Sequence, residues 1–223
     1  MVYGDRAFGS QYFPKLLGSY EKELGAAVEE ILSAQPSRIV VAGAAEGYYA
    51  VGLALRVPGA RVIAFEAVEE ARRAISETAA RNGVADRLEV LGLCDLPAIE
   101  RALGSGRNTF LLCDVEGAEA ILLDPRVLPR LREVAVLVET HDFAVPGVEA
   151  ELRRRFEASH RLERFVAHPR TAHDAIGFEV PRSWRGALEQ LLSERRPPAN
   201  GWLWMVPRSE VRALGEQDAS GGT

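Results

Sequence analysis

Acidic side chains recur where apolar segments of this chain end. Asp114-Val-Glu-Gly-Ala-Glu119 follows one such segment, and Glu139-Thr-His-Asp142 follows the next. Carboxylates grouped with an imidazole can take a proton from a hydroxyl or hold a divalent cation. Glu139 and His141 lie two residues apart, so an extended chain puts them on one side. His141 is therefore a candidate general base, with Glu139 and Asp114 as its catalytic neighbours. Asp114, Glu139 and Asp142 are an alternative set, an all-oxygen site for Mg²⁺. The same residues would also suit a solvated strand end and a capped helix start. His168 and His173 fall in a loop that can cover such a site, and His160 is expected at the surface.

A second group of residues reads as a nucleoside pocket. The apolar run Ile39-Val-Val-Ala42 stops at Gly43, turns through Ala44-Ala-Glu46 to Gly47, and resumes with helical spacing. Glycines at a strand-to-helix turn let a ligand lie against the backbone. A later apolar run, Val62-Ile-Ala-Phe65, ends on the lone carboxylate Glu66, with Ala67 beside it. An acid there can accept both hydroxyls of a ribose. Asp95 follows a third run and has two equal readings. It can accept from an adenine amino group, or cap the helix that starts at Leu96-Pro97.

The elements that must position these residues alternate along the chain. Strands are expected at 38–42, 61–66, 88–92, 109–114, 134–140, 161–167 and 202–207. Helices are expected at 20–34, 47–56, 68–82, 96–103, 117–122 extending toward 130, 147–158 and 184–195. Several strands are apolar throughout, which requires a sheet covered on both faces. Five strands sit in strand–helix units, and the last carries Trp202 and Trp204. The pattern predicts an α/β, doubly wound, Rossmann-like sheet of seven strands, and it resembles that of class I methyltransferases, which implies the order 3-2-1-4-5-7-6. It is mostly parallel, with the last strand antiparallel and helices on both faces. A nicotinamide-binding Rossmann domain is the near alternative.

The chain divides into an N-terminal cap and helix over 1–34, one catalytic domain over 35–210, and a polar, glycine-rich tail over 211–223 expected to be disordered. Its 223 residues suit one α/β domain, and the net charge of −5 offers no polyanion-binding surface, so nucleic acid is not the expected substrate. No stretch approaches the roughly 20 apolar residues that span a bilayer. Cys94 and Cys113 end strands that two others separate, too far apart for a disulfide. Reduced thiols and the lack of a leader at the first residues suggest a cytoplasmic protein.

Taken together, Leu17-Gly-Ser-Tyr-Glu21, Gly43-Ala-Ala-Glu-Gly-Tyr-Tyr-Ala50, Phe65-Glu66, Asp114-Val-Glu-Gly-Ala-Glu119 and Val138-Glu-Thr-His-Asp142 resemble the FkbM-like methyltransferases over roughly residues 16–180. That resemblance implies a class I fold, S-adenosylmethionine as cofactor, and O-methylation of a small molecule or sugar. It implies that Gly43 and Gly47, with Ala44, approach the methionine part of the cofactor. Glu66 and Ala67 would lie at its ribose and Asp95 at its adenine. Asp114 and Glu139 would face the methyl group and the acceptor. The chain departs from the family at Val41 and Ala45, where an acid and an asparagine are usual, so Glu46 or Glu21 is expected to meet the methionine amino group. An NAD-dependent oxidoreductase and a non-catalytic nucleoside-binding protein remain alternatives. A homodimer is possible.

Overall fold

The computed structural model describes residues 1–106, 108–175, 180–196 and 200–209. Seven strands form one sheet: β1 (Arg38–Ala42), β2 (Arg61–Phe65), β3 (Leu88–Leu91), β4 (Thr109–Cys113), β5 (Ala135–Thr140), β6 (His160–Val166) and β7 (Gly201–Pro207). Their order is β3-β2-β1-β4-β5-β7-β6. β1 pairs parallel with β2 and β4, and β7 runs antiparallel to both β5 and β6. This is the expected topology, down to the inserted antiparallel strand.

Strand side chains alternate between two apolar layers, as the period of two requires. Ile39, Val41, Val62, Ala64, Phe110 and Leu112 face one layer. There they meet helices α2 (Gly25–Ala34), α3 (Tyr48–Arg56) and α4 (Glu69–Arg81). Val40, Ala42, Ile63, Phe65, Leu111 and Cys113 face the other, against α5 (Leu96–Leu103) and α7 (Val148–Phe156). Burial of both faces explains the unbroken apolar runs Ile39-Val-Val-Ala42, Val62-Ile-Ala-Phe65, Phe110-Leu-Leu-Cys113 and Val136-Leu-Val138 in the central strands. Each fully buried Leu or Ile contributes roughly 1.5–3 kcal/mol toward the fold.

Four local readings differ from the sequence expectation. The aromatic N-terminus contains a short helix, α1 (Tyr12–Leu17), too brief to display a period. The helix expected from residue 20 begins at Gly25, because Glu21 takes a left-handed φ of 48° and a 3₁₀ turn at Lys22–Leu24 intervenes. Helix α6 spans only Glu119–Leu122 before Asp124-Pro125, where proline disfavours a helical residue ahead of it. His160 is buried, not at the surface. Its ring packs on Phe156, and its Nε2 lies 3.0 Å from the Val134 carbonyl oxygen. The last helix, α8, covers Arg185–Leu192. Cys94 and Cys113 are free thiols. Among the described residues no helix is long and apolar enough to cross a membrane. Residues 211–223, expected to be disordered, lie outside the described residues.

Candidate active site

The sheet order reverses between β1 and β4, and the crevice beyond their carboxyl ends is where such folds hold ligands. Gly43 and Asp114 meet there. The Asp114 N–H donates to Ala42 O at 2.8 Å, and the Gly43 N–H to Phe65 O at 3.0 Å. A Cβ on Gly43 would stand 1.6 Å from the Asp114 carbonyl oxygen, and Gly43 has a φ of +81°. Gly43 is thus required by the crossing of two backbones. Gly47, at φ +92°, opens α3, and a Cβ there would stand 3.3 Å from the Ile75 side chain of α4. Its glycine is needed for helix packing, and it lies away from the cavity. The sequence assigned both glycines to a ligand; the structure gives each a structural cause.

A cavity of about 490 Å³ opens over this crossing. Gly43, Ala45, Glu66, Asp114, Glu139 and His141 line it, with Tyr20, Phe143, Arg196 and Asn200 around them. Glu66 sits between two backbone donors, Ala45 N and Val68 N, each at 2.8 Å. One carboxylate oxygen meets each donor, so both keep lone pairs for hydroxyl donors in the cavity.

At the other side of the crossing, His141 is 2% exposed and faces four carboxylates. Its Nδ1 lies 2.6 Å from Glu119 Oε1. Its Nε2 lies 3.3 Å from Glu116, 3.5 Å from Asp114 and 3.9 Å from Glu139. Burial pulls the ring's pKa down, but the Glu119 hydrogen bond and the charges of Glu139 and Asp114 outweigh it and raise it to about 9. Asp114 keeps 28% of its side-chain surface open, yet Oδ1 is shut off from solvent and has no hydrogen-bond partner. Desolvation, then the like charges of Glu139 and Glu21, holds its carboxyl well above the usual range. Burial also raises Glu139, against the pull of Arg196.

Arg196 reaches the site from the loop before β7. Its guanidinium pairs with Glu21, Glu139 and Glu194, and Asn200 donates to Glu139 Oε1 at 3.1 Å. Glu21 also accepts from Tyr49 Oη. Sequence reading missed Glu119, Glu194, Arg196 and Asn200. Glu119 lay within a block it had singled out; the others had no local signal.

Several expected ligands stand elsewhere. Glu46 is not free for a cofactor, because Lys15 Nζ, Tyr3 Oη and the Phe8 N–H all hold its carboxylate against the N-terminal cap. Asp95 takes the capping alternative, accepting from Ala98 N at 2.8 Å. Ala44 is buried, its N–H bound to Phe65 O, and exposed Ala67 accepts from Arg72; neither lines the cavity. Glu21 stands behind Arg196 and does not line the cavity itself. Val41 is packed in the core. Asp142 turns to the start of α7, where it accepts from Gly147 and Glu149 N–H groups.

The expected oxygen-only Mg²⁺ site is therefore not formed. His141 replaces Asp142 beside Asp114 and Glu139, with candidate ligand atoms within 4.8 Å of one another. A nitrogen in the set and the Arg196 cation on Glu139 do not fit a hard ion that wants six oxygens. A cationic nucleoside does fit. The lining holds five carboxylates, Glu66, Asp114, Glu116, Glu139 and Glu194, against three cationic side chains, Arg195, Arg196 and His141.

No family model matches the chain, and no curated protein matches it. Solved structures do. The O-methyltransferase TomG from Streptomyces achromogenes, in complex with S-adenosylmethionine, is 16% identical, with 86% of this chain and 78% of that one covered at a TM-score of 0.51. An O-methyltransferase from Bacillus cereus, in complex with S-adenosylhomocysteine, is 14% identical, with 86% and 90% covered at 0.51. A putative O-methyltransferase from Klebsiella pneumoniae is 14% identical, with 92% of each chain covered at 0.52. The chain has the fold of class I methyltransferases. At these identities the likeness is one of fold.

Proposed function

We propose that this protein transfers a methyl group from S-adenosylmethionine to a hydroxyl oxygen of a small molecule or sugar, in the manner of the FkbM-like methyltransferases. One observation carries the reading. Glu66, which we assign to a ribose, and His141, which we assign to a proton, line one acid-rich cavity at the switch point of a 3-2-1-4-5-7-6 sheet. The bound cofactor would supply a methyl group on a sulfonium sulfur. Glu66 would accept the ribose hydroxyls. The carboxylates around Asp114 would favour the cofactor's positive charge, as opposite charges within a few ångströms do. His141 would receive the acceptor's proton, and the walls would hold the acceptor in line. The same acids disfavour a phosphorylated or nucleic-acid acceptor.

Isothermal titration with S-adenosylmethionine, S-adenosylhomocysteine and NAD tests the reading. Micromolar binding of the first two, weakened at least tenfold by Glu66→Ala, is expected. Binding of NAD alone would replace methyl transfer with an oxidoreductase. Cofactor binding without methyl transfer to any hydroxylated compound in a broad panel would favour a non-catalytic protein.

A further inference from the structure

We infer that Glu119 is the positioning residue for His141, fixing Nε2 as the nitrogen that takes the acceptor's proton; the inference rests on the methyl-transfer reading above. The four carboxylates near the ring are not equivalent. Glu139 is already answered by Arg196 and Asn200. Glu116 leaves 69% of its side chain in solvent. Asp114 stands on the cavity side, 3.5 Å from Nε2. Glu119 alone lies on the Nδ1 side, fully buried, at 2.6 Å.

The chain is shaped to put it there. After β4 the backbone turns through Glu116 at φ +53° and Gly117 at φ +108°. Residues other than glycine rarely take the first conformation, and Val145 crowds the second, 3.3 Å from where a Cβ would stand. The turn returns the chain so that Glu119 lies beside the ring. The Gly117 N–H then donates to Glu119 Oε1 at 2.9 Å, fixing the same oxygen that meets His141.

The chemistry follows from that oxygen. A carboxylate only accepts, so it holds a proton on Nδ1. In the neutral ring the lone pair is then on Nε2, the nitrogen that faces the cavity. In the reaction the acceptor's proton moves to Nε2, and an oxygen lone pair forms the new O–C bond. The C–S bond breaks, and its electron pair stays on sulfur. The imidazolium that results keeps its second hydrogen bond to Glu119.

The decisive test needs no acceptor. Long-range ¹H–¹⁵N correlation on ligand-free protein at pH 10 reads which nitrogen of His141 carries the proton. The expected wild-type signal is the Nδ1–H tautomer. Glu119→Gln, which can donate to Nδ1 through its amide, should shift the ring toward Nε2–H while circular dichroism stays unchanged. With the first compound in a panel of hydroxylated small molecules that turns over, Glu119→Gln should lower kcat by roughly 10²-fold or more, with the KM for S-adenosylmethionine within about threefold. An Nε2–H tautomer in the wild type, or a Gln variant with unchanged tautomer and kcat, would overturn the inference. If the wild type binds no S-adenosylmethionine, the functional reading fails on its own, and the tautomer still decides whether Glu119 sets the ring.

Discussion

His141 should titrate far above an ordinary histidine. Three carboxylates lie within 4 Å of its Nε2 and a fourth within 2.6 Å of Nδ1. At an effective dielectric of about 20, one charge at that distance is worth about 4 kcal/mol, so several outweigh the penalty of burial. The resulting rise from 6.5 to about 9 corresponds to roughly 3 kcal/mol in favour of the imidazolium. In the cofactor-free protein the neutral ring is then about 1% of the population at pH 7 and about half at pH 9. As kcat/KM for S-adenosylmethionine reports the cofactor-free enzyme, it should rise by roughly 50-fold over that interval. The sign for stability is opposite. A histidine raised in the folded state stabilises fully below its unfolded pKa of 6.5, and that contribution is lost as pH rises through about 9. The midpoint is measured directly from the His141 ring-proton shift in NMR, with Glu119→Gln and Glu139→Gln each expected to lower it. A wild-type midpoint at or below 6.5 would refute the electrostatic account, as would a kcat/KM for S-adenosylmethionine flat from pH 7 to 9.

Three further outcomes follow from the packing. Gly43→Ala puts a methyl group against the Asp114 carbonyl at a left-handed φ and should cost roughly 2–5 kcal/mol. Thermal unfolding would show this, with a smaller loss for Gly47→Ala, whose nearest contact is the Ile75 side chain at 3.3 Å. Lys15→Met takes the cation from the buried Glu46 carboxylate, both partners being 3% exposed, and leaves it only the Tyr3 and Phe8 donors; about 3–5 kcal/mol of cap stability should go, seen as faster proteolysis within residues 1–20 and reversed in part by adding Glu46→Gln. His160 is held neutral by burial, its pKa lowered, so its contribution is present above the unfolded value of 6.5 and lost as pH falls below it. The denaturation midpoint should therefore drop between pH 7 and 5 and drop less in His160→Gln.

The strands were legible because a sheet covered on both faces leaves unbroken apolar runs, as in Phe110-Leu-Leu-Cys113. The order was legible through the resemblance to class I methyltransferases, which implies β3-β2-β1-β4-β5-β7-β6. Helix α6 stops at Leu122, short of the expected extension toward 130, because proline at 125 disfavours a helical residue ahead of it. The site was half legible. Glu66, Asp114, Glu139 and His141 stand at strand ends, and strand ends converge on one crevice whatever the loops do. Glu46 and Asp142 were misassigned because each is drawn off by a partner that spacing cannot foresee: Lys15 in the cap for one, the first turn of α7 for the other. Arg196 meets Glu21 across 175 positions, and Glu194 is likewise delivered by a loop, so neither carried a local signal. Glu119 belongs to the same acidic block as Asp114, but residue spacing does not signal the left-handed turn at Glu116-Gly117 that swings it beside the ring.

The charge of the cleft bears on the choice between cofactors. A dinucleotide places its pyrophosphate at an open helix N-terminus after the first strand, where free N–H groups meet the anion. Here that turn carries Glu46, and its carboxylate is tied to the cap by Lys15. The start of α3 does not line the cavity. The walls that do line it hold five carboxylates to two guanidiniums and the His141 imidazolium, and Arg196 is already shared among Glu21, Glu139 and Glu194. A doubly anionic bridge would be repelled by this surface, whereas a ligand bearing a sulfonium and an ammonium would relieve the repulsion among Asp114, Glu139 and their neighbours. That relief also lowers the pKa of His141, because a positive charge entering beside it disfavours the imidazolium. The ring would thus become a base when the methyl donor is present, and stay protonated when it is not.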